Sequence, residues 1–145
     1  MKKMILALAL VFTISGAFAG DVAVTKQVLQ SFRSNFSDAT DISWSVGTTY
    51  YKAAFTLNDQ KVFAFFDLDG KYLGLSRYIS SLQLPINLHN SLRKQIGQKW
   101  ITDLFEVAND EGTTYYVTVE NADTKFVLMS TSASGWHMYK KSEKV

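Results

Sequence analysis

Twice in a chain of 145 residues, apolar side chains at helical spacing give way to β-branched and aromatic residues cut by turn formers. No other feature restricts the fold as strongly. In the first copy Val24, Val28, Phe32 and Phe36 fall four apart with Leu29 beside them, while Lys26, Gln30, Arg33 and Ser34 lie elsewhere on the wheel. One apolar and one polar side predict an amphipathic helix of about three turns. The second stripe is Leu88, Leu92, Ile96 and Trp100. It follows Pro85, the only proline, whose fixed φ and missing N–H suit a helix start.

Beyond Ser37 the alternation has the period of strands, predicted over 42–46, 49–57, 61–68 and 72–78, and after the second helix over 104–108, 114–120, 125–130 and 135–140. Asn58-Asp59 and Asp69-Gly70 are short and turn-prone, as tight hairpins require. The expected fold class is α+β: two tandem repeats, each a helix plus a four-stranded antiparallel meander, forming one sheet layer with both helices on one face. The expected organisation is a signal peptide over 1–19 and a single domain over 20–145. Within that domain, repeat one covers about 22–79, a linker 80–85, and repeat two about 86–141.

Letters and packing disagree on how the repeats align. GTTYY occurs at 47–51 and again at 112–116, and Thr40-Asp41-Ile42 matches Thr102-Asp103-Leu104. In the first copy the apolar series is Tyr51, Ala53, Phe55; in the second it is Tyr115, Val117, Val119. These series align one residue away from the letters, and one residue of slip reverses the face of every side chain. The expected structural equivalents are therefore Tyr51 and Tyr115, on the helix side, with Tyr50 and Tyr116 turned away.

The first residues carry an address. Met1-Lys2-Lys3 begins a positive start, Met4 to Ile14 is almost wholly apolar, and Ala17-Phe18-Ala19 puts small residues where a signal peptidase reads. The apolar run is too short to be retained as a membrane span. Cleavage is expected before Gly20, which would leave the chain in the periplasm or outside the cell. Without cysteine, such an exported chain has neither a lipid anchor nor disulfides, so its core must hold it. Removing 19 residues leaves about 126, enough to bury roughly two-thirds of the unfolded surface. The 15 basic residues include Lys2 and Lys3, and the other 13 equal the 13 acidic ones. A formally neutral mature chain lacks the basic stripe that nucleic acid demands.

Ile42-Ser43-Trp44, Tyr51-Lys52-Ala53-Ala54-Phe55, Ala64-Phe65-Phe66-Asp67-Leu68-Asp69-Gly70 and Leu84-Pro85 before the second helix together resemble the PepSY-like, β-lactamase-inhibitor-like family of exported Bacteroidetes-type proteins. The resemblance spans about Val24 to Tyr139 and implies tandem helix-plus-sheet repeats. It implies no inhibitory residue at any position of this chain. The chain departs from the disulfide-bonded inhibitor for which that family is named in having no cysteine, and its second repeat reads Ser132-Ala133-Ser134-Gly135 where the first reads Asp67-Leu68-Asp69-Gly70.

Catalytic chemistry finds little to stand on. Asp67-Leu68-Asp69-Gly70 opens like a calcium loop, but the twelfth position, where a bidentate glutamate belongs, is Tyr78. His89 and His137 are the only histidines and fit no zinc spacing. There is neither a Gly-x-Ser-x-Gly elbow nor a glycine-rich phosphate loop. The expectation is a non-enzyme with no catalytic residue, metal or cofactor.

What does need a reason is apolarity on both sides of the strands. Val62, Ala64 and Phe66 alternate with Phe63 and Phe65, and Phe126 and Leu128 with Val127 and Met129. A helix covers one side only. Tyr50, Phe63, Phe65, Tyr116, Val127 and Met129 are thus the candidate partner-binding residues, for a protein or peptide of unknown identity. The alternative is a cell-envelope structural or assembly protein that uses the same face to form a homo-oligomer.

Overall fold

The computed structural model describes residues 23–131 and 135–145. The expected signal peptide and Ser132-Ala133-Ser134 lie outside the described residues. Helix α1 (Lys26–Asn35) precedes strands β1 (Thr40–Val46), β2 (Tyr50–Leu57), β3 (Gln60–Asp67) and β4 (Tyr72–Tyr78). A single 3-10 turn (Ser81–Gln83) then leads to helix α2 (Ile86–Ile96) and strands β5 (Trp100–Asn109), β6 (Gly112–Glu120), β7 (Thr124–Thr131) and β8 (His137–Glu143).

The expectation of two tandem repeats, each a helix plus a four-stranded meander, is corrected. Among the described residues the strands form one eight-stranded antiparallel sheet in the order β1 to β8, with helices α1 and α2 beside it. The chain divides into two compact units inside β4, between Leu75 and Ser76. The reason lies in the second half of β4 and just beyond it. Arg77 pairs with Glu106, Tyr78 packs edge-on to Phe105 at 6.3 Å, and Ile79 N–H donates to Leu104 O at 3.0 Å. A strand edge left open after four strands would strand its N–H and C=O groups, and continuing the ladder satisfies them.

In the first unit Thr25 caps α1, its Oγ1 accepting from Val28 N–H at 3.4 Å. Val28 and Phe32 pack on Tyr51, Ala53 and Phe55 of β2 and on Val62, Ala64 and Phe66 of β3. Phe32 meets Phe55 and Trp44 edge-on at 5.0 and 5.2 Å, the arrangement ring quadrupoles favour. The β3–β4 turn is a hydrogen-bonded loop. Asp67 Oδ1 accepts from the N–H groups of Asp69 and Lys71 at 2.9 and 2.8 Å, and Gly70 takes φ +92° against the backbone of Gln27.

In the second unit Leu88 and Leu92 of α2 pack on Leu104, Tyr115, Val117, Val119 and Leu128. Tyr51 is paired with Phe66, whereas Tyr115 is paired with Ser130. The smaller serine is accompanied by a large side chain from elsewhere: Trp136 joins this core and donates from Nε1 to Leu88 O at 3.0 Å.

The pairing also decides how the two matching stretches of sequence correspond. Tyr51 lies under α1 and Tyr115 under α2, while Tyr50 is on the other side with Phe65, and Tyr116 stacks on Phe105. Trp44 pairs with Ala53 and Leu104 with Val117, so Leu104 is the counterpart of Trp44. The letter match of Leu104 with Ile42 is two residues off. Both first strands shift register near their start, at Thr40/Ser43 and at Ile101/Asp103, as a bulge with an extra residue would.

Candidate functional site

In the first unit, β2 and β3 pair Tyr50 with Asp67, Lys52 with Phe65 and Ala54 with Phe63, which puts all six on the side turned from α1. Tyr50 and Phe65 are buried, 5.9 Å apart between ring centroids, with Phe63 and Leu73 half-buried against them. Gly47 makes room for this group. A Cβ there would overlap the Tyr50 ring, and Gly47 N–H donates to Tyr50 O at 2.8 Å. Gly112, in the other pentapeptide, has φ +128° and open space around it, so identical letters serve different ends.

Lys52 is the exception in this apolar group. It is only 8% exposed, and its Nζ lies 5.0 Å from the centroid of the Phe63 ring. Burial, and secondarily the charge of Lys61, hold its ammonium below the usual lysine range. The carboxylate that shares its side of the sheet, Asp67, is occupied by the turn described above.

In the second unit Phe105 pairs with Tyr116, Tyr116 with Met129, and Thr118 with Val127, all turned from α2. Phe105 and Tyr116 stack at 5.2 Å with 20° between planes, and Tyr139 meets Tyr116 edge-on at 5.7 Å. Burial pushes the Tyr116 hydroxyl far above the usual phenol range, with Tyr139 adding to it. Tyr116 and Val127 are buried and Met129 is half-buried. Tyr78, Met138 and Tyr139, 63%, 57% and 36% exposed, are accessible large side chains of this unit's strands β4 and β8.

The six residues singled out from sequence thus fall in two groups, one per unit, none of them in the core under a helix. In the first unit Tyr50 and Phe65 are buried and Phe63 half-buried; in the second, Tyr116 and Val127 are buried and Met129 half-buried. Lys52, Leu73, Phe105 and Tyr139 join them. The alternation of β2 places Lys52 beside Tyr50, and the pairing of β5 with β6 alone brings Phe105 to Tyr116.

Among the described residues no group of three or more His, Cys, Asp or Glu could hold a metal ion. No helix among them is long and apolar enough to cross a membrane.

No family model matches the sequence, and no curated protein matches it. Solved structures do. A BLIP-like protein from Bacteroides fragilis superposes with TM-score 0.71 at 18% identity, covering 86% of this chain and 89% of that one. A DUF2874 family protein from Bacteroides ovatus gives 0.74 at 19%, covering 86% and 89%. A proposed periplasmic protein from Bacteroides eggerthii gives 0.73 at 15%, covering 84% and 90%. These descriptions carry the inhibitor-like half of the resemblance and not the PepSY-like half. At such identities they show a shared fold: this chain is built like the BLIP-like and DUF2874 proteins of Bacteroides.

Proposed function

We propose that this chain is a non-enzymatic periplasmic protein, akin to the BLIP-like and DUF2874 proteins, that binds a protein or peptide through the sheet faces turned away from its helices. One observation carries this: in each unit the side not covered by a helix holds ordered aromatic side chains, Tyr50 with Phe65 and Phe105 with Tyr116, bordered by half-buried Phe63 and Met129. Rigid aromatics set in a floor, with neighbours that exclude water, are what binding hot spots are made of. The fold shared with a BLIP-like protein and with a proposed periplasmic protein supports the same reading.

Capture from envelope extract by the mature protein tests it, with a Phe63→Ser, Met129→Ser variant as control. A protein held by the wild type and lost from a variant that keeps its circular dichroism supports the faces; a catch unchanged by the variant overturns them. Serine is preferable to aspartate at 63, because a carboxylate there would sit beside Lys52 and create a new ion pair. Light scattering separates the envelope-assembly alternative, which requires a stable dimer that the same substitutions dissolve.

A further inference from the structure

Deepening that reading, we propose that the face carrying Tyr50, Phe63 and Phe65 takes a segment of a partner that presents a carboxylate between apolar side chains, with Lys52 as the group that receives the carboxylate. The charge on Lys52 has no acidic counterpart across the ladders. Lys52 is 8% exposed and paired across the ladders with Ser45 on one side and Phe65 on the other, neither of which is acidic. Among the described residues, ion pairs join Arg77 to Glu106, Lys141 to Glu143 and Lys144 to Glu120, and none of them involves Lys52. Asp67 is engaged by two backbone N–H groups, and Lys61 adds a second positive charge nearby. What stabilises the ammonium is the face of the Phe63 ring.

A wholly apolar partner laid over Tyr50, Phe63 and Phe65 would strip the last water from this cation and give nothing in return, so such partners are rejected. A carboxylate delivered at that point converts the penalty into a desolvated ion pair on an aromatic floor. Covering this face thus favours an acidic residue flanked by apolar ones.

Selection from a random heptapeptide phage library tests the inference, using the mature chain as wild type, as Lys52→Met and as Phe63→Ser. The wild type is expected to enrich peptides with Asp or Glu between apolar residues, and Lys52→Met to keep apolar peptides while losing the acidic preference. A synthetic copy of an enriched peptide should lose about tenfold in affinity for the wild type when its carboxylate becomes an amide, with no change against Lys52→Met. Equal acidic enrichment with Lys52→Met overturns the role of Lys52. Apolar peptides that depend on Phe63 but carry no acid overturn the inference and leave the binding face standing. If no recovered peptide depends on Phe63, both fall. A dimer by light scattering that Phe63→Ser dissolves assigns the face to a second copy and overturns the peptide as occupant.

Discussion

Two side chains show what burial does to a polar group that the sheet's alternation forces inside. Ser130 is fully buried on the α2 side, and its Oγ has no hydrogen-bond partner among the described residues. Its hydroxyl gave up water and gained nothing, so Ser130→Ala is expected to be neutral or to stabilise the protein by up to about 1 kcal/mol in urea unfolding. A loss above that would reveal a partner for the hydroxyl. Lys52 is the charged case, and the sign of its pH effect follows from a folded pKa held below 10.5 by burial and by Lys61. The folded chain holds that proton less tightly than the unfolded chain. The cost is therefore full at neutral pH and is relieved as pH rises through the folded pKa towards 10.5. Lys52→Met should be more stable than the wild type at pH 7, with the gap narrowing by pH 10, in paired denaturation curves. Tyr116 acts in the opposite direction. Its raised pKa means that stability is lost as pH climbs above 10, so the comparison stops there.

At the scale of elements, the hairpins were legible because turn chemistry is local, whereas the bulges were not. Asn58 and Asp59 both take positive φ, 50° and 63°, between the paired ends Leu57 and Gln60, which makes the β2–β3 connection a two-residue turn with left-handed backbone at both central positions. Asparagine tolerates this and aspartate less well than glycine, so Asp59→Gly is expected to raise stability by about 0.5–1 kcal/mol, read as a shift in the urea midpoint. The bulges at Thr40/Ser43 and Ile101/Asp103 left no such signal. An extra residue in a ladder is fixed by what the partner strand pairs with, and Asp41 at φ 52° looks like any other aspartate in the sequence. Hence the letter match of Thr40-Asp41-Ile42 with Thr102-Asp103-Leu104 misaligned the first strands by two residues.

For the molecule as a whole, the boundary inside β4 has a consequence in fragments. A piece beginning at residue 86 lacks Ile79 and Leu84, both members of the core under α2, along with the strand segment that carries Arg77. A fragment 72–145 should give a cooperative melt by circular dichroism while 86–145 does not; equal behaviour would put the boundary back at the connection before α2. The sequence by itself determined the period of each segment and the side to which each strand residue turns, because helical spacing and strict alternation are properties of the local backbone. That was enough to put Tyr51 and Tyr115 under helices and to single out Tyr50, Phe63, Phe65, Tyr116, Val127 and Met129 on the other side. It took the tertiary structure to show that the compact units divide inside β4, that Trp136 accompanies Ser130 in the second core, and that Lys52 is buried against Phe63 with a neighbouring lysine and no acidic neighbour across the ladders. Those outcomes depend on which strands become neighbours, and pairing partners distant in the chain leave no mark in the spacing of either one.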